Sequence, residues 1–516
     1  MGVPALVMSA VGLWGLDRGG MWRDEAVSLQ VGRRTVPQIW LLLHHVDAVH
    51  GLYYLLVHAV LAVHPGEVVL RLPSVCAAAV TAALVAALGT RLARPRVGLW
   101  AGLLYAVVPM AGHYAQEGRS YALVAAGATG ATLLWARAVQ DPSRRSWAAY
   151  GAVLGLTCLL HEFAVLLLCA HAVSLALAGA GARVWRGWGC AAGAVAVSLV
   201  PMVLVSQGQA AQVAWLQRPT ASTAQGLCRQ FLGSSGAVCA VCLVLALAGL
   251  SGLTVRRRDI TLAGVALPLT VVPPVVLMLA SQVSPLFVDR YVLYALGGAP
   301  LLVAAGAERV AGAVGRLCDG RPAGRPVPRS RKALRPALVT LTGVLAIGLA
   351  FLHQFPLLRA DRDPRTRPDD LGAASRVVAR ELAPADPVLF LPANVRNVAL
   401  AYPGAFRGAR DVALVEGAAS SGSLYGREAG PREVWRRLAR LKRVWVVADP
   451  DLLTGRRRPH NPTLRAELAV LHRDFTGRRE VLRGGLAVRL YVRDPLPAAA
   501  SRPRAPELRS PRPARW

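Results

Sequence analysis

The chain has 516 residues, 54% of them hydrophobic and 17% charged, with a formal net charge of +30. A mean hydropathy of +0.41 at this length excludes a water-soluble globular protein. Arginine carries the positive charge, since Lys332 and Lys442 are the only lysines. It reads as a topology signal and a contact with anionic lipid, and no nucleic acid is implied.

In chain order, the apolar residues gather into runs nearly free of charge. A run of about 17–20 residues, rising ~1.5 Å each, spans a hydrocarbon layer of ~30 Å. About eleven spans are expected, at 3–17, 72–90, 97–112, 121–139, 147–160, 163–178, 189–205, 231–251, 260–280, 291–311 and 337–355. Runs such as Pro4–Leu16 and Trp147–Leu160 are short for that thickness, so their flanks must snorkel or the bilayer thin. Backbone groups in lipid are satisfied internally, so each span should be a helix. The first run lacks a basic lead and a small-residue cleavage site and is kept as a span, not a signal peptide. Cys239 and Cys242 form a CxxC inside a span, where they read as small packing residues.

Arginine-dense loops at 91–96, 137–145, 183–186, 256–258 and 309–335 alternate with poorer ones. The positive-inside rule then places the amino terminus in the cytoplasm. The loop 18–71 and everything after about residue 356 lie outside a plasma membrane. That late segment alternates helix and strand: Leu371–Leu382 capped by Asp369 and Asp370, Val388–Leu391, Val412–Val415, a helix from Pro431 to Leu441, Arg443–Ala448, Thr463–Phe475 and Leu486–Val492. A small exported α/β domain is expected over 356–494, behind a mainly α, polytopic transmembrane module over 1–355. The Pro- and Arg-rich 495–516 is expected to be disordered.

Chemistry is expected in the first outside loop, which at about fifty residues is too long for a connector. It holds Trp22-Arg23-Asp24-Glu25, His44, His45, Asp47, His50, Tyr53, Tyr54 and Glu67, with Val36–Leu43 and Leu52–Val63 as helices along the membrane surface. Adjacent carboxylates such as Asp24 and Glu25 repel, which favours a proton on one of them and suits a general base. Equally, Asp24 could cap a helix over Glu25–Val31.

Trp22-Arg23-Asp24-Glu25-Ala26 after a first span, then Gly51-Leu52-Tyr53-Tyr54 and Leu70-Arg71-Leu72-Pro73-Ser74, resemble the GT-C superfamily of membrane glycosyltransferases. Within it the chain is most similar to the branch of bacterial glycosyltransferase family 39, the protein O-mannosyltransferases and the aminoarabinose transferases. Tyr114–Ala122 and Pro285–Tyr291 resemble that family's outside turns before spans 4 and 10. One departure is Gly51, where relatives commonly carry proline.

This resemblance implies transfer of a sugar, mannose among the candidates, from a polyprenyl-phosphate carrier to a glycan, lipid or protein acceptor at the outer face, with inversion. Asp24 is then the base and Glu25 its neighbour in the catalytic pair. Arg119 and Arg290, at outside ends of spans, would receive the charge of the leaving phosphate. Their alternative is interfacial anchoring. His50, Tyr54, Glu67, Glu117 and His161 are candidates for substrate contact, His161 alternatively belonging to a polar turn. A divalent metal is left open, because some members of the superfamily use one and others none.

Two rival readings have sequence features of their own. A transporter or flippase would show internal repeats and helices broken around mid-membrane polar residues, and neither is visible. Asp449-Pro450-Asp451 has the spacing of a metal-binding DxD, but the domain is small for that fold and lies outside, away from nucleotide sugars, so an Asp-Pro turn is the better explanation. Topology supplies the first test: a reporter fused near Arg365 should be active only outside the cytoplasm, and one near Arg325 only inside. Equal behaviour of the two removes the eleventh span and the exported domain.

Overall fold

The computed structural model describes residues 1–209, 215–253, 259–319, 329–366 and 369–495. The expected disordered tail, the basic loop 256–258 and part of that at 309–335 lie outside the described residues. Every expected span is helical, as the absence of water partners in lipid requires. In order come α1 (Gly2–Leu13), then the loop helices α2 (Arg23–Gly32), α3 (Val36–Leu43) and α4 (Gly51–Leu61). The bundle continues through α5 (Glu67–Leu92), α6 (Pro95–Val107), α7 (Pro109–Tyr114), α8 (Tyr121–Gln140), α9 (Arg144–Leu160), α10 (Leu167–Leu177) and α11 (Ala182–Gly208). It ends with α12 (Ala221–Leu232), α13 (Gly236–Gly249), α14 (Leu262–Ala280), α15 (Gly298–Asp319) and α16 (Arg329–Asp361).

Among the described residues, six helical stretches are long and apolar enough to cross a membrane, or seven if α12 and α13, bent by 82°, count together. The expected eleven therefore includes shorter rods: α1, α6, α9 and α10 have 12, 13, 17 and 11 residues. Hydropathy counts apolar residues and does not see the breaks. Pro109 ends one apolar run by starting α7, and a 3₁₀ turn at Glu162–Leu166 precedes α10. Helix α5 is the hub, packed against α1, α6 and α8. Small residues allow that approach: a Cβ on Gly89 would stand 2.9 Å from the Gly98 Cα of α6.

After α16 come α17 (Leu371–Glu381), β1 (Pro387–Leu391), α18 (Asn397–Ala401), β2 (Arg410–Asp411), β3 (Leu414–Glu416) and β4 (Arg427–Glu428). Then follow α19 (Pro431–Ala439), β5 (Arg443–Ala448), α20 (Pro450–Leu453), α21 (Pro462–Asp474), β6 (Phe475–Arg483) and β7 (Leu486–Arg493). The main sheet runs β2-β1-β5-β7-β6, parallel between β2, β1 and β5 and antiparallel beyond. The strand expected at Val412–Val415 is instead β3, paired with β4 in a separate ribbon. Strand β6 went unforeseen, because Arg478, Arg479 and Glu480 make it read as a polar loop although it pairs along its length with β7. Asp449 accepts from the Asp451 N–H at 3.0 Å and from Arg457 at 2.8 Å, so the Asp-Pro-Asp segment is a capping turn.

Period-two alternation divides the sheet's side chains between two cores. Leu389, Leu391, Val444 and Val446 pack with α19 and α21. Val388, Phe390, Trp445 and Val447 share a core with Ala26, Leu29, Ile39 and Tyr53 of the loop helices. Hydrogen bonds close the same seam. Asp370 Oδ1 caps α17 at Ala373 N (2.7 Å) while accepting from Gly20 N (3.0 Å), and Leu371 N donates to Met21 O (2.9 Å). A Cβ at Gly20 would collide with Asp370 Oδ1 and with the Gly372 backbone, 2.6 Å from its Cα. Gly20→Ala should therefore destabilise the protein by about 1–3 kcal/mol, read as a lowered thermal midpoint in detergent. Gly404→Ala, with open space around it, should leave the midpoint unchanged. Equal midpoints for the two variants would show that the seam is not tight.

Candidate active site

Helix α2 starts two residues earlier than its composition suggests, at Arg23, with Trp22 as N-cap and no side-chain cap bond. Asp24 thus lies in the first turn, where the helix dipole favours a carboxylate, and does not act as a cap. Successive helical residues point about 100° apart, so Asp24 and Glu25 diverge. Glu25 turns inward and is 1% exposed. Both its oxygens take hydrogen bonds from Arg71, each at 2.8 Å, and Oε1 also accepts from Gly118 N at 2.8 Å. Arg71 reaches further, donating to Leu16 O at 2.9 Å.

Asp24 stays partly open, with 32% of its side chain exposed, and faces Arg290 across 3.6 Å. Arg290 is held by Tyr121, whose hydroxyl accepts from Nε at 3.1 Å, and lies over the rings of Trp22, Tyr121 and Tyr291. Arg119 comes from the turn before α8. It donates to His50 Nε2 at 3.0 Å and to Ser28 Oγ at 3.4 Å. Burial works against its charge, but Tyr121, Asp24, Tyr54 and Asp47 leave its pKa well above the usual arginine value.

An arginine can only donate, so the His50 imidazole accepts and is neutral on that nitrogen. Burial, then Arg119, push its pKa well below the ordinary histidine value. His161 follows it down, to about 3, through burial and then the two arginines. Its ring lies tilted against that of Tyr291 at 4.7 Å and near His50 at 6.2 Å. Tyr54 donates to Asp47 Oδ2 at 2.6 Å beside them. Glu117 is buried in the same turn as Arg119, and burial raises its carboxyl to about 7.

The fold thus gathers Asp24, Arg119, Arg290, His50, Tyr54, Glu117 and His161 at one end of the bundle. Glu67 goes elsewhere: its Oε1 accepts from Tyr402 of the sheet domain at 2.7 Å. Glu162, next to His161, turns to Ser206 of α11. Trp22, Asp47, Tyr121 and Tyr291 stood in the sequence motifs without a site role, although each aromatic is within two residues of a candidate. Several polar atoms here are buried with no hydrogen-bond partner among the described residues: Trp22 Nε1, His50 Nδ1, Glu117 Oε2, Arg119 Nε and Ser120 Oγ. Native interiors leave few such groups, and their concentration marks a place for a ligand. Among the described residues no three His, Cys, Asp or Glu side chains form a group suited to a metal ion.

Comparison with known proteins agrees with this architecture. The family model described as dolichyl-phosphate-mannose-protein mannosyltransferase matches residues 50–206, which include His50, Glu117, Arg119 and His161. No curated protein matches the sequence. Crystal structures of ArnT from Cupriavidus metallidurans share the fold. The apo form superposes with a TM-score of 0.58 at 14% identity, over 95% of this chain and 97% of that one. Its complex with undecaprenyl phosphate gives 0.57 at the same identity and coverage. With its mainly helical bundle and small sheet domain, the chain has the fold of these ArnT structures, and its residues 50–206 match that mannosyltransferase family model.

Proposed function

We propose that this protein transfers a sugar from a polyprenyl phosphate to an acceptor hydroxyl, on the face of the membrane away from the cytoplasm. One observation carries the reading: a partly exposed carboxylate, Asp24, stands 3.6 Å from Arg290 amid buried, unpartnered donors that include Arg119 Nε. The binding of undecaprenyl phosphate by ArnT, and the name of the matching family, make a lipid-phosphate sugar the donor to test first, with mannose the first sugar.

The reaction divides among these residues. Asp24 accepts the proton of the acceptor hydroxyl as its oxygen bonds to the anomeric carbon. The bond from that carbon to the phosphate oxygen breaks, and the sugar inverts. Arg119 and Arg290 take up the charge gathering on the departing polyprenyl phosphate. Being fixed beforehand by His50, Ser28 and Tyr121, they need little reorganisation. Other candidate bases are poorly suited: Glu25 is bound at both oxygens, and the neutral His161, held at about 3, is a weak proton acceptor.

A general base contributes about 10²–10⁴-fold in rate. Asp24→Asn should therefore keep the fold and donor binding yet lose nearly all transfer, in an assay of purified protein in detergent with polyprenyl-phosphate sugars offered one at a time. Arg290→Ala should weaken donor use more than Arg290→Lys, which keeps the charge without the fork. Glu117 is the rival base. If Glu117→Gln abolishes transfer while Asp24→Asn spares it, the base assignment moves to Glu117.

Glu117 also supplies a pH handle. Its carboxyl, raised by burial to about 7, gains charge as pH rises through neutrality, and that charge opposes an anionic donor. Donor KM should rise between about pH 6 and pH 8 in the wild type and stay flat in Glu117→Gln. A parallel rise in both would remove Glu117 from the donor's surroundings.

A further inference from the structure

A cavity of about 430 Å³ opens between the loop helices and the sheet domain. Gln30, Arg33 and Arg34 at the end of α2 and Gln38 of α3 line one side, and the 417–420 segment of the sheet domain lines the other. No carboxylate is among its lining residues. Arg34 is only 5% exposed, donates from Nη2 to Gln30 Oε1 at 2.7 Å, and has no hydrogen-bond partner for the buried Nη1 among the described residues. Of the other buried arginines, Arg119 lies in the candidate active site, while Arg71, Arg362 and Arg396 each face a carboxylate. Arg33, beside it, adds a second positive charge while its nitrogens hold Ala401 O and Pro65 O. A buried guanidinium with no counter-charge is costly, and burial pulls the Arg34 pKa down to about 10. An anion entering the cavity would supply what the protein does not.

Distance gives the cavity a meaning. Asp24 and Arg34 sit near opposite ends of α2, ten residues apart, so about 15 Å separates them along the helix axis. We propose that this cavity binds an anionic group, a phosphate or carboxylate, belonging to the acceptor and lying about 15 Å from the hydroxyl that is glycosylated. Arg34 is then a specificity-determining residue, and the acceptor class is an anionic glycan or glycolipid. Assigning the anion to the acceptor rests on the transferase reading above; the anion site itself does not.

Binding measurements on the full chain in detergent test it without turnover. Inorganic phosphate, titrated by isothermal calorimetry, should show a binding component weakened about tenfold or more in Arg34→Gln. Arg290→Ala should retain that component. Ser420→Glu keeps Arg34 and places a carboxylate on the opposite, exposed wall, so it should abolish the component even if Arg34→Gln misfolds. Octyl trisaccharides ending in glucuronate or in glucose separate the possible sources of the anion. Tighter binding of the glucuronate form by the wild type, lost in Ser420→Glu, supports the acceptor assignment. Equal binding of the two, with phosphate still bound, overturns it in favour of a free-anion site. Phosphate binding identical in the wild type and Ser420→Glu overturns the site altogether. A protein that binds the anion at Arg34 yet transfers no sugar would sink the transferase reading and leave the site standing.

Discussion

The Glu25–Arg71 pair is the contact on which the site depends, since it joins four separate pieces of chain inside the protein. Arg71 belongs to the bundle helix α5, Glu25 to the loop helix α2, Gly118 to the turn before α8, and Leu16 to the end of the first span. Removing one partner of such a buried pair typically costs about 3–5 kcal/mol, because the other charge is left uncompensated, while the intact pair adds little net stability. Its value here is positional. With Glu25 drawn inward, the helical rotation per residue carries Asp24 round toward Arg290, and the turn bearing Glu117 and Arg119 is tied to the same anchor.

Around that anchor the electrostatics are uneven. Two arginines and several tyrosines meet a carboxylate, while both histidines are held neutral by burial and by the arginines. A site with two arginines and several donors unpartnered among the described residues is poorly satisfied by itself and suited to an anion. Arg119 stands in the turn before α8, and Arg290 lies just ahead of α15.

The sheet domain is packed into the structure that carries the candidate site and is not an appendage. One face of its sheet shares a core with α2, α3 and α4, and the Gly20–Asp370, Leu371–Met21 and Asn397–Arg23 hydrogen bonds fix the entry to α2. A shift of this domain would therefore move Asp24. The same seam borders the Arg34 cavity, so Asp24 and that cavity lie near the two ends of one short helix.

Much of this was legible in the chain itself. Apolar runs, the Asp370 cap, the buried strand Arg443–Ala448 and the grouping of polar residues in the first loop all follow from neighbours in sequence. Backbone satisfaction and local periodicity act over a few residues, and those rules read directly. Only the tertiary structure decided which acid does what. Asp24 and Glu25 are adjacent and chemically alike, yet Arg71, some forty-six positions away, claims one and leaves the other open. Glu67 was drawn to Tyr402 and Glu162 to Ser206 in the same way. The breaks within apolar runs, the charged strand β6 and the cavity at Arg34 were equally hidden. Each depends on partners distant in sequence, and a side chain's role is set by the partner that reaches it, which composition and spacing do not encode.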